Sequence, residues 1–210
     1  MARANPGLAY LGGTDVTKVY YKAVRPDGTD FVTGTTRPVV GKWMPRIEGK
    51  LVLCERGYHV SDEPGETLIG GSWPCRLFEV EIDEVVPYRN ADGHKSVVHT
   101  YRPTRELPAW MALGPNGEEV SAIIERIKVL TQNEWRTLRR ARYGSAWSAA
   151  RSAAWNAAGN AAGNAAWNAA GNAAWDATWG AVVATMTRDL ITSAQFDTLY
   201  EPWRQVVNIA

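Results

Sequence analysis

The chain has 210 residues, enough for one good core or for a domain with a helical appendage, and its formal net charge is +1. So balanced a charge gives no global field toward nucleic acid or an anionic membrane. Two cysteines, Cys54 and Cys75, are too few for a disulfide scaffold and suit a reducing compartment, while ten tryptophans are unusual for this length.

The first segment, Met1 to Gly13, carries one arginine and no long apolar run. It lacks the apolar stretch of a signal peptide, so a cytoplasmic protein is expected. From Thr17 to Leu130 the chain reads as strand-rich. Lys18 to Val24 is full of β-formers, and Arg25-Pro26-Asp27-Gly28 reads as a turn, with Asp30 to Thr33 as the returning strand of a hairpin. Leu51 to Cys54 is a short apolar run, which Gly57 to Ser61 continues after a break. In Cys75 to Asp83, Arg76, Phe78, Val80 and Ile82 alternate with Leu77, Glu79, Glu81 and Asp83, predicting one buried face and one acidic, wet face. Lys95 to Tyr101 and Ala122 to Leu130 are further predicted strands.

The pattern changes at Thr131. Thr131 and Glu134 have the spacing of a capping box, predicting a helix through Arg142, and Thr192 with Gln195 predicts another that stops before Pro202. Between them lies a four-residue repeat, Ala-Ala-(Trp/Gly)-(Asn/Asp), which runs from Ala153 to Asp176. Ser152 to Trp175 contains no charge, yet asparagine at every fourth position makes a membrane span costly. Alanine favours helix, whereas Gly and Asn weaken it. Four residues advance about 400° around an α-helix, so the repeat stripe drifts about 40° per unit. A bent helix or a helical hairpin with its break at Gly159 to Asn164 is expected, and Ala181 to Arg188 continues the helical reading. The residues expected to form a contact surface are Trp147, Trp155, Trp167, Trp175 and Trp179 with Asn156, Asn160, Asn164, Asn168 and Asn172.

Reactive chemistry is sparse. Cys54, His59 and Cys75, with His94 and His99, offer zinc-type donors without the paired spacing of a zinc site, so neither a metal nor any other cofactor is expected. Cys54 with His59 is likewise a poor nucleophile pair. The acidic set Glu79, Glu81, Asp83 and Glu84 reads as a solvated strand face. Arg136, Arg139, Arg140 and Arg142 form a basic patch without a groove-reading motif, so nucleic acid is not an expected partner. No phosphate-cradling glycine loop of the Walker or dinucleotide type occurs.

Two resemblances add to this reading. Tyr20 to Gly28, Cys54 to Ser61 and Pro74 to Glu81 resemble a domain of unknown function from phage and actinobacterial proteins. The closing Arg188 to Ile191 and Phe196 to Trp203 look like the end of such proteins, which often carry an Ala-Ala-Trp-Asp type repeat. This resemblance implies a phage or prophage accessory protein in the cytoplasm of a bacterial host. A second resemblance is to ADP-ribosyltransferase-like folds: an aromatic first strand (Tyr20-Tyr21-Lys22), then Gly57-Tyr58-His59-Val60-Ser61, then Glu125 on a later strand. It implies a site at Tyr21, His59, Ser61 and Glu125. The chain departs from that pattern at Lys22, where such enzymes carry Arg or His, and in lacking the Glu-x-Glu or Gln-x-Glu pair.

The sequence therefore predicts an α+β protein: an extension over 1–16, a strand-rich mixed head over 17–130, an Ala/Trp-rich helical region over 131–187, and a short helix and tail over 188–210. The leading functional expectation is a non-catalytic accessory protein that binds another copy of itself or a host or phage protein. The alternative is an ADP-ribosyltransferase-like enzyme or nucleotide-binding relative with its site in the head.

Overall fold

The computed structural model describes residues 19–52, 55–83, 95–140, 144–154, 156 and 175–207, without the side chains of 175–177. The fold is α+β. Strands β1 (Tyr20–Val24), β3 (Arg76–Ile82) and β5 (Tyr101–Leu107) form an antiparallel sheet in the order β1-β3-β5, and β2 (Tyr58–Val60) pairs with β4 (Ser96–Val98) in a second, two-stranded sheet. Helices α1 (Gly117–Lys128) and α2 (Gln132–Arg140), α3 over 145–154, then α4 (Trp175–Met186) and α5 (Ser193–Val207) follow.

β3 is the central strand, and it is buried on both faces near its start. Phe78 and Val80 point into a core with Tyr20, Val24, Val60, Val98 and Tyr101, while Leu77 points into the larger core among the helices. The acidic face is wet as predicted, but not bare: Arg105 donates to Glu79 at 2.6 Å, Arg102 to Glu81 and Arg46 to Asp83. Between Glu79 and Val80 the β3–β5 register slips by one residue, a bulge beside Pro103, which has no N–H for the ladder. The far edge of β5 is covered by the segment around Met44. Gly41, Met44 and Ile47 donate their N–H groups to the carbonyls of Pro103, Tyr101 and His99, so this edge is not a template for another chain.

Several expectations need correction. The Pro26-Asp27-Gly28 turn forms, with Gly28 at φ +86°, but residues 30–33 do not return as a strand. Asp30 instead accepts hydrogen bonds from the backbone N–H groups of Val32, Thr33 and Thr36, winding the chain into a second turn. β1 then pairs with the distant β3. The segment expected as a strand over Ala122 to Leu130 is helical through Lys128, not strand. Its β-branched residues suggested β, yet Val120, Ile123, Ile124 and Ile127 recur at helical spacing and are all buried. Lys95 to Tyr101 is broken at His99 and Thr100 into β4 and the start of β5.

Both capping boxes form. Thr131 N–H meets Glu134 at 2.6 Å and Thr192 N–H meets Gln195 at 2.9 Å, with the return bonds at 3.3 Å. α5, however, runs through Pro202 instead of stopping before it. An interior proline costs about 3 kcal/mol; here the helix continues because Leu199, Pro202, Trp203 and Val206 are all buried.

α4 is apolar around its whole circumference from Thr178 to Met186, as expected of a helix enclosed by others. It packs against α1, α2 and α5. Thr185 and Thr187 donate their hydroxyls to the carbonyls of Ala181 and Val183, so neither buried oxygen is wasted. The larger core joins Ala23, Leu68 and Leu77 to Trp179, Val182 and Leu199. It thus crosses the expected boundary between residues 130 and 131. No helix among the described residues is long and apolar enough to cross a membrane.

Candidate functional site

The two sheets touch where β1 passes the end of β2. Tyr21 and Ser61 exchange both backbone hydrogen bonds there, at 2.8 and 2.9 Å. Gly57, just before β2, serves the neighbouring β2–β4 pairing: it sits at φ +127°, and a Cβ would lie 2.2 Å from Val97 Cγ1. A cleft opens at this junction. Tyr21 and Lys22 come from β1, His59 from β2 and Ser61 from its end, Lys95 from just before β4, and Phe31 from the Asp30 turn. Its volume is about 30 Å³, room for a water or two by the criterion that each needs about 10–15 Å³.

The electrostatics of the cleft are cationic. No Asp or Glu is among its lining residues, counted over the described part of the chain. Lys95 donates from Nζ to the carbonyl of Ile69 at 2.7 Å, which holds its ammonium at the wall. Burial lowers the pKa of Lys22 to about 8, helped by the charge of Lys95 and opposed by that of Asp30. Burial, then Lys95 and Lys22, lower His59 to about 4, so its imidazole is neutral at pH 7. Asp30 is the nearby counter-charge. Burial pushes it up, but hydrogen bonds from Thr33 and Thr36 outweigh that and hold the carboxyl well below its ordinary value. Its oxygens are occupied by their own turn.

Of the predicted enzymatic residues, Tyr21, His59 and Ser61 do come together. Glu125 does not: it lies on the exposed face of α1, 2.6 Å from Lys128, and is not part of the cleft. It is not on a strand because residues 122–128 are helical. The sequence reading named Lys22 only as a departure from the transferase pattern, not as a site residue, and did not name Lys95 as one either. Lys22 had a signal, a lysine at the strand position between Tyr20 and Val24, both of which are buried. Lys95 had none.

The metal-type donors do not assemble among the described residues, where no three His, Cys, Asp or Glu side chains gather. Cys54 and His94 lie outside those residues. Cys75 is in the larger core, where burial pushes its thiol up to about 12, and His99 Nδ1 lies 2.6 Å from the carbonyl of Ile47. Arg136 and Arg139 line an open groove with Gln132 and Trp135; Arg142 is outside the described residues.

The expected contact surface also needs correction. Trp147 and Trp179 are 6% and 1% exposed, and their ring centroids are 6.4 Å apart. Arg151 lies over both rings, 5.6 and 4.7 Å from the centroids. These two tryptophans are occupied within the chain, because α4 is enclosed and draws α3 onto it. Asn156 is helical and exposed. Trp155, Trp167, Asn160, Asn164, Asn168 and Asn172, like the predicted break at Gly159 to Asn164, lie outside the described residues, as does the side chain of Trp175.

Comparison of the chain with protein-family models, with curated proteins and with solved structures returns no match in any of the three. The functional reading rests on geometry and chemistry.

Proposed function

We propose that the chain is a non-catalytic binding protein whose head takes the phosphate group of a nucleotide-class ligand in the cleft between β1 and β2. The observation that carries this reading is the convergence of Lys22 and Lys95 on a cleft with no carboxylate among its described lining residues. Two ammonium groups held side by side repel each other, and a bound anion relieves that repulsion. Neutral His59 and the hydroxyl-bearing Tyr21 and Ser61 supply further polar contacts to a phosphate, and Tyr21 with Phe31 offers aromatic surface to a base. Transferase chemistry of the ADP-ribosyl type calls for a carboxylate at the reacting centre. The lining provides none, which favours binding over turnover.

The test is calorimetric titration of the chain with ADP and with adenosine. ADP is expected to bind and adenosine to bind at least 10-fold more weakly. Lys22→Met and Lys95→Met, each checked for an unchanged melting transition, should each lower ADP affinity roughly 10-fold, the order of one charge-assisted hydrogen bond. Equal binding of adenosine and ADP, or lysine variants with unchanged affinity, would sink the proposal.

A further inference from the structure

A second, larger cavity shares no lining residue with the cleft of Lys22 and Lys95. It occupies about 520 Å³, within the range of small-molecule sites. The 3-10 turns Pro64–Leu68 and Ala109–Leu113 meet there with the C-terminal end of α4 and the residues just after it. Leu68, Leu113 and Met186 all enter the larger core, which fixes the three elements against one another. The apolar wall is made chiefly by Trp110, Met111, Leu113, Met186 and Leu190. Leu190 is 63% exposed, an unusual state for a large apolar side chain.

The backbone around the cavity is already hydrogen-bonded. The carbonyls of Glu63, Glu66, Met111, Gly114 and Thr187 each accept the N–H three residues further on. The Pro64 carbonyl accepts from the Thr67 hydroxyl at 2.7 Å, and the Thr187 hydroxyl donates to the Val183 carbonyl at 2.8 Å. Glu66 is engaged within the chain and has one carboxylate oxygen buried, while Glu63 is exposed to water. Neither offers a ligand a buried counter-charge, and an exposed pair with Glu63 would be worth little. No Lys, Arg or His is among the described lining residues. A charged ligand of either sign would therefore give up hydration here without recovering it. Water also finds few partners on such a wall, so its replacement by an apolar molecule is favourable. The two methionines let the wall adapt to the shape of what enters.

We infer that this cavity is a binding site for a small, uncharged, apolar or aromatic molecule. The spent polar groups of the lining select a neutral ligand over an acid or an amine, and the volume selects a small molecule over a protein segment. Because the two sites have no residue in common, this proposal and the one for the cleft stand or fall separately.

The experiment titrates the full chain with N-phenyl-1-naphthylamine, an uncharged probe that fluoresces in apolar surroundings, and then displaces it. The competitors are 1-naphthalenemethanol, 1-naphthoate and 1-naphthylmethylammonium, one ring system carried as a neutral, an anionic and a cationic molecule. Saturable binding of the probe at one site is expected, with the alcohol displacing it roughly 10-fold more effectively than either ion. Leu190→Asp puts a charge on the wall at an exposed position and should weaken the probe roughly 10-fold. If that variant loses its cooperative melting, Leu190→Ser takes its place, with a loss of about 5-fold. Val129→Asp, at an exposed apolar residue outside the cavity, should bind the probe as the wild type does. No saturable binding, an ion that competes as well as the alcohol, a folded Leu190 variant with wild-type affinity, or an equal loss in Val129→Asp would each overturn the inference.

Discussion

His59 shows how the cleft exerts its chemistry on a single side chain. Its imidazole is depressed to about 4 by burial and by two lysines, against an ordinary 6.5. The unfolded chain binds the proton more readily than the folded one between those values, so His59 contributes stability that is full above about pH 6.5 and is lost as pH falls toward 4. Allowing for its partial exposure, the loss is on the order of 1–2 kcal/mol. Chemical denaturation at pH 7 and pH 4.5 should show a smaller acid loss for His59→Gln than for the wild type. An identical loss would mean that neither burial nor the two lysines depress this ring. At this scale part of the site was legible. Tyr21, His59 and Ser61 were named because the resemblance to ADP-ribosyltransferase-like folds pointed to them; run and turn pattern alone singled out none of the three. Lys95 could not be picked out, since its approach to Lys22 depends on β4 lying beside β2, a pairing between residues some forty positions apart.

Among the elements, local signals were reliable where a side chain answers a backbone group within a few residues. Both capping boxes and the Pro26-Asp27-Gly28 turn are of this kind. They misled where long-range packing decides, as in the run Ala122 to Leu130, whose isoleucines serve a helix because α4 lies against them. α1 also contains a glycine whose role is invisible in sequence. Gly117 opens the helix against the turn Ala109–Leu113, and a Cβ there would lie 1.9 Å from the carbonyl oxygen of Trp110. Alanine in place of glycine in a helix ordinarily gains up to about 1 kcal/mol. Here the contact is with rigid backbone, so Gly117→Ala is expected to destabilise by about 1–3 kcal/mol, the usual cost of overpacking. Urea denaturation reads the sign directly, and a stabilised variant would contradict the close packing of α1 on that turn.

Over the whole molecule, the α+β class was readable from the change of pattern at Thr131, but the sharing of one core across that change was not. Alanine and tryptophan in the flanks of the repeat suggested an outward surface; Trp147 and Trp179 turn inward because α4 is apolar on every side and must be enclosed. The helices share the head's larger core, while the junction of the two sheets forms the cleft at Lys22 and Lys95. The central claim is that the Lys22 ammonium is a partner of a bound anion. The most direct measurement is the affinity for ADP at pH 7.5 and pH 9.5, a range over which its phosphates stay fully ionised. With Lys22 titrating at about 8 in the free protein, its charge is largely lost across that range, so affinity should fall about 10-fold. The Lys22→Arg variant, which stays charged, should bind equally at both pH values. A wild-type affinity that does not change between pH 7.5 and pH 9.5 would contradict the account.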